Sequence, residues 1–112
     1  MKVLTMCSAG TVRSVAMAHL LKHDYGIDAI PLGHDTNSRE TIEMACEWAD
    51  LIIVMQPRYA DLIPPDMTKK LVVTHVTDVG PDRWLNPLSP DLQGIVRNIA
   101  FDLYRIGLIK KG

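Results

Sequence analysis

Apolar residues along this chain follow two rhythms. Short unbroken runs such as Val3-Leu4-Thr5-Met6 and Leu51-Ile52-Ile53-Val54-Met55 alternate with longer stretches where apolar residues recur every three or four positions. Unbroken runs of this length fit strands buried on both faces. They predict strands at residues 2–6, 28–32, 51–55 and 71–76. The periodic stretches predict a helix over 13–25, with Gly26 as its stop. A second helix begins at the capping group Asn37-Ser38-Arg39-Glu40 and runs to about residue 49, with Ile42, Ala45, Cys46 and Ala49 on one face. Pro57 starts a short helix that ends before Pro64-Pro65. Ser89-Pro90-Asp91 reads as N-cap, N1 and N2 of a last helix whose apolar face carries Leu92, Ile95, Val96, Ile99, Leu103 and Ile106. Residues 77–88, rich in Asp, Pro and Asn, form the longest irregular stretch, and long loops in compact domains are often functional.

Alternation of buried strands with helices predicts an α/β fold: a four-stranded parallel sheet covered by helices on both faces, in three α/β/α layers. Ligands in such sheets bind at the carboxyl ends of the strands.

Composition narrows the picture. At 112 residues with 47% hydrophobic content, residues 1–112 are expected to form one soluble domain. A net charge of −1 gives no global electrostatic case for nucleic acid or an anionic membrane. The apolar runs are too short to span a bilayer, and the chain opens on a strand rather than a signal peptide. Two cysteines make no disulfide framework, which suits a reducing, cytoplasmic setting. His19, His23, His34 and His75 lack metal-ligand spacing, so neither a metal nor a cofactor is expected. Cys46, Met6, Met17 and Met55 read as core residues.

The chemistry concentrates between the first strand and the first helix, in Cys7-Ser8-Ala9-Gly10-Thr11-Val12-Arg13-Ser14. A cysteine at a strand end, a turn of backbone N–H groups and a helix N-terminus together attract an anion and favour thiolate over thiol. Arg13 can grip two oxygens of a phosphate with its planar fork. Ser14 can hydrogen-bond the Cys7 thiolate. Cysteine, anion cradle and arginine together read as phosphoryl transfer through a cysteinyl-phosphate.

These residues resemble the low-molecular-weight protein tyrosine phosphatases, in particular their compact bacterial and phage-like members. Cys-x5-Arg-Ser follows the first strand, and Gly33 follows the second, where the family has Ser-Ala-Gly-Thr. Trp48-Ala49-Asp50-Leu51-Ile52-Ile53-Val54-Met55 is similar to its Ala-Asp-Leu-Ile-x-Val-Met signature. Pro81-Asp82-Arg83-Trp84 resembles its Asp-Pro-aromatic loop, which carries the general acid. The resemblance implies strand order 2-1-3-4, the phosphotyrosine phosphatase I-like fold, and a loop of Ser8, Ala9, Gly10, Thr11, Val12, Arg13 and Ser14 around phosphate. It implies Cys7 as nucleophile, Arg13 as phosphate ligand and Asp82 as acid, with Asp78 the alternative acid. Trp84 is a candidate pocket wall. Substrates would be phosphate monoesters, a phosphotyrosyl protein among them, with phosphate or vanadate as inhibitors. The chain departs from the family loop Cys-x-Gly-Asn-x-Cys-Arg-Ser-Pro: Ala9 replaces Gly, Gly10 replaces Asn, Val12 removes the second cysteine, and Val15 replaces Pro. Arg83 likewise replaces the Pro after Asp82.

Three other readings share the loop. A phospho-carrier domain of a sugar phosphotransferase system also follows its first strand with a cysteine loop, yet has no clear need of Arg13 or an acid. An arsenate reductase needs further cysteines, and here only Cys46 remains. A catalytically weak phosphate-binding module is the third. Tyr59 and Arg58 follow the third strand and are candidates for the pocket's rim, with a solvated helix start the favoured reading.

Overall fold

The computed structural model describes residues 1–76 and 86–112. Four strands, β1 (Lys2–Cys7), β2 (Asp28–Gly33), β3 (Leu51–Val54) and β4 (Leu71–Val73), make one parallel sheet in the order β2-β1-β3-β4. This is the predicted architecture. The central β1 pairs Cys7 with Gly33 on one side and Met6 with Val54 on the other. β1, β2 and β3 are bridged by α1 (Arg13–Tyr25) and α2 (Arg39–Trp48). The chain steps from β1 outward to β2, then back past β1 to β3. Right-handed crossovers in opposite directions put α1 and α2 on opposite faces. The last helix, α3 (Pro90–Arg105), packs beside α1.

Local sequence explains the element ends. Gly26 stops α1 in the left-handed conformation, φ 65°. α2 is capped by Ser38, whose hydroxyl accepts from the Thr41 amide at 3.1 Å, so the residue three places on is Thr41 rather than Glu40. Asn37 instead accepts from the Gly33 amide at 2.8 Å. The stretch after β3 forms two 3-10 helices, Pro57–Leu62 and Pro65–Lys70, because Pro65 starts the second where the first has ended. β4 is three residues long against the predicted six. Beyond it the backbone still bonds to the end of β3 and the residue after it, from the Thr74 amide to Val54 and from the Val76 amide to Met55.

The sheet is sealed by residues the periodicity marked: Val3, Leu4, Met6, Met17, Ile42, Cys46, Ile52, Ile53 and Met55 are fully buried. On α3 the buried stripe is Leu92, Val96, Ala100 and Leu103. Ile95 and Ile106, expected on that face, are exposed. The stripe steps by four, four and three residues. That leaves Ile95 at its edge, and Ile106 is already the C-cap.

One buried polar group on the central strand ties sheet to helix. The Thr5 hydroxyl, fully buried, donates to the Ser14 carbonyl at 2.7 Å in the first turn of α1. Thr5→Val keeps the shape and removes the donor. We expect a loss of about 1 kcal/mol in equilibrium unfolding, and a chain that still folds.

Candidate active site

The loop from Ser8 to Val12 turns sharply because Gly10 takes φ 74°. A side chain there would meet the Gly33 amide nitrogen at 2.5 Å and the Leu32 carbonyl carbon at 2.7 Å. Gly33 is pressed just as closely from the other side: a Cβ on it would strike the Thr36 hydroxyl and lie 2.5 Å from the Ala9 carbonyl. Two glycines thus let the loop lie directly on the turn after β2.

That contact is hydrogen-bonded residue by residue. The His34 amide donates to the Cys7 carbonyl at 2.7 Å and the Asp35 amide to the Ser8 carbonyl at 2.8 Å. The Thr36 hydroxyl donates to the Ala9 carbonyl at 3.0 Å. In a planar trans peptide each carbonyl points opposite to the following N–H. Drawing the carbonyls of residues 7, 8 and 9 toward the turn therefore aims the N–H groups of residues 8, 9 and 10 the other way. The Gly10 N–H shows the result, donating to the Cys7 sulfur at 3.3 Å.

Cys7 is 3% exposed, with its sulfur 3.1 Å from the Ser14 hydroxyl. Burial, the largest single influence, pushes the thiol pKa up. The Ser14 side-chain and amide bonds, the Gly10 amide and the Arg13 charge together outweigh it, so the net shift is downward. Cys46 shows the contrast: buried in α2 without such donors, it has a raised pKa.

Arg13 opens α1, and its guanidinium is buried. One terminal nitrogen donates to the Val76 carbonyl at 2.7 Å. The other donates to the Tyr59 hydroxyl at 2.8 Å and approaches the Ser8 hydroxyl at 3.4 Å. Tyr59 lies in the first 3-10 helix after β3 and is fully buried. Its phenol also accepts from Arg58 at 3.0 Å and donates to Gln56 at 3.1 Å. Tyr59 is therefore not the start of a solvated helix. A ring small enough to be covered by the loop, yet with a polar tip, suits a buried partner for a guanidinium. Nothing local in the sequence announces it, since Tyr59 lies 46 residues from Arg13. Arg58 is exposed and stacks 4.5 Å over the Tyr59 ring.

The structure thus gathers Cys7, Ser8, Gly10, Arg13 and Ser14 at the carboxyl end of β1. Ala9 and Thr11 are exposed on the loop, and Val12, half-buried, is the N-cap position of α1 with no side-chain cap. Asp78, Asp82 and Trp84 lie outside the described residues. Both flanks of their segment sit by the site. Val76 binds Arg13, and Gln93 joins the Pro87 carbonyl at 2.8 Å to the Ala16 carbonyl of α1 at 3.5 Å. A surface cleft of about 510 Å³, lined by Tyr25, Arg97 and Phe101 among others, lies at the opposite end of α1.

A parallel sheet of order 2-1-3-4, with a cysteine-led loop running from β1 into a helix, is the fold of low-molecular-weight protein tyrosine phosphatases. The tyrosine phosphatase AmsI of Erwinia amylovora superposes with a TM-score of 0.68 at 18% identity, covering 94% of this chain and 91% of that one. The YwlE arginine phosphatase of Geobacillus stearothermophilus gives 0.63 at 16% identity, over 96% and 95%. Wzb of Vibrio vulnificus, in complex with benzylphosphonate, gives 0.61 at 12%, over 96% of each. No family model and no curated protein matches the sequence.

Alkylation of Cys7 by iodoacetate should follow a pH midpoint below that of an ordinary thiol. Ser14→Ala should move that midpoint up. An unchanged midpoint would show that the Ser14 bond does not hold the thiolate.

Proposed function

We propose that this chain is a cysteine-dependent phosphatase, acting on phosphotyrosine or a related aryl phosphate monoester through a cysteinyl-phosphate. The observation that carries the reading is the Cys7 sulfur. It is buried, lies beside the Ser14 hydroxyl, accepts from the Gly10 amide of the loop and has its pKa lowered. That environment stabilises a thiolate and an incoming anion alike.

The Cys7 thiolate attacks phosphorus. The phosphorus–oxygen ester bond breaks, and its electron pair leaves with the phenolic oxygen, which takes a proton from Asp82. Arg13 holds two non-bridging oxygens, its plane set by Val76 and Tyr59. Water then attacks the cysteinyl-phosphate and gives a proton to Asp82. The phosphorus–sulfur bond breaks, and inorganic phosphate and the thiolate are released. The Ser14 hydroxyl stabilises that thiolate as leaving group as well as nucleophile. Residues 1–112 act as one domain in a reducing, cytoplasmic setting, with no metal or cofactor.

A second reading keeps every step and replaces the ester by a phosphorus–nitrogen bond, because a structure named as an arginine phosphatase covers this chain as fully as one named as a tyrosine phosphatase. Turnover of phosphotyrosyl and phosphoarginyl peptides side by side decides between them.

Cys7→Ser should abolish turnover of p-nitrophenyl phosphate, and vanadate or phosphate should inhibit the wild type. A Cys7→Ser chain with full turnover would end the phosphatase reading. Arg13→Lys keeps charge but loses the fork, so both kcat and KM should worsen.

Asp82→Asn should cost about 10²–10⁴-fold on phosphotyrosine and much less on an activated aryl phosphate whose leaving group needs no proton. Asp78→Asn is the comparison and should be milder. If Asp78→Asn gives the leaving-group-dependent loss instead, the acid is Asp78.

A further inference from the structure

The turn that holds the loop carbonyls is itself pinned by one side chain. His34 places Nδ1 2.6 Å from an Asp35 oxygen and Nε2 2.6 Å from an Asp61 oxygen. Asp35 belongs to the same turn, whereas Asp61 belongs to the first 3-10 helix, 27 residues away. Two carboxylates on the two ring nitrogens require both nitrogens to donate, which only the imidazolium can do. The ring also lies against Tyr59, centroids 5.4 Å apart, and Tyr59 in turn holds Arg13.

We propose that His34 is a positioning residue: as an imidazolium bridging Asp35 and Asp61, it clamps the turn behind the phosphate loop to the helix that carries Tyr59. The clamp holds the loop in its anion-binding form only while the ring is charged. The inference rests on the phosphatase reading for its use in catalysis, but the clamp itself is a property of the loop.

The groups facing the imidazole set the direction of its response to pH. Asp35 faces it from its own turn. Asp61, Arg58 and Tyr59 belong to the 3-10 helix, and Arg13 lies behind the Tyr59 ring at 5.6 Å. From β1, Cys7 presents its carbonyl to the His34 amide. Burial, the largest single influence, pulls the His34 pKa down. The bonds and charges of Asp35 and Asp61 together raise it above the ordinary histidine value. Asp35 is lowered, chiefly by its bond from His34. A group whose folded pKa is raised contributes fully below its unfolded value and is lost as pH rises through the folded one. The clamp is therefore closed below the ordinary histidine value, as long as Asp35 and Asp61 stay ionised, and is released as pH rises through the raised His34 pKa.

The test uses NMR of the whole chain from about pH 5 to pH 9, with inorganic sulfate as the anion, because sulfate keeps its charge across that range. We expect the His34 ring to titrate above the ordinary histidine value. The Ser8, Ala9 and Gly10 amides should shift with the same midpoint, and sulfate affinity should fall about tenfold across it, within the hundredfold that a 1 Å misplacement can cost. Asp61→Asn, an exposed and nearly isosteric change, should lower ring midpoint, amide midpoint and affinity step together. That shared movement separates His34 from the Cys7 titration. His34→Asn should bind sulfate weakly at every pH without the step. Loop amides that ignore the His34 titration would overturn the proposal. So would an affinity step that stays in place in Asp61→Asn, or wild-type sulfate affinity in His34→Asn. A chain that shows the coupled shifts but hydrolyses no phosphate ester would remove the phosphatase reading and leave the clamp standing.

Discussion

The three bonds that draw the carbonyls of Cys7, Ser8 and Ala9 onto the turn after β2 decide what the loop can do. Peptide planarity leaves no choice about the other face: where those carbonyls are satisfied, the following amides point away from the turn, and that of Gly10 reaches the sulfur. Gly10 and Gly33 permit this because neither has a Cβ at a place where one would collide with backbone. The strand register matters for the same reason. Cys7 pairs with Gly33, so the last residue of β1 and the first residues of the turn are already in step.

Around that backbone frame the side chains divide the electrostatic work. The sulfur is held by a hydroxyl and an amide, and Arg13 contributes charge from beyond direct contact. The guanidinium has a carbonyl and a phenol among its partners, contributed by the segments after β4 and β3. Both of these acceptors are neutral, and they hold the two terminal nitrogens of the fork in place. A hydroxyl deep in the sheet, on Thr5, then anchors the first turn of α1, to which both Arg13 and Ser14 belong.

Sequence and structure agree where interactions are local. Cys7, Gly10, Arg13 and Ser14 lie within eight residues, and the loop chemistry of these types is legible from spacing alone. The strand order needed the family resemblance, since alternation gives parallel strands but not which neighbours which. Tyr59 and His34 were not legible: a tyrosine after a strand and a histidine after a glycine carry no pattern until β3 and β2 bring them beside β1. The apolar face of α3 was drawn too broadly because Ile95 and Ile106 are large and Ala100 is small, while burial followed angular position rather than size. Asp82 and Trp84 rest on the resemblance of Pro81-Asp82-Arg83-Trp84, and Asp78 on its place in the sequence nearer the end of the fourth strand.

The loop's single cysteine also sets the chain's fate under oxidants. A thiolate as stabilised as Cys7 is readily converted to a sulfenic acid, and a sulfenic acid is rescued when a nearby thiol condenses with it. Val12 stands where the family loop has that thiol. Cys46, buried in α2, is a free thiol, and the chain leaving that helix meets the start of β1, where Asp50 accepts from the Lys2 amide, whereas Cys7 closes the strand. A sulfenic acid on Cys7 therefore has no thiol partner within its own loop and waits on one from elsewhere.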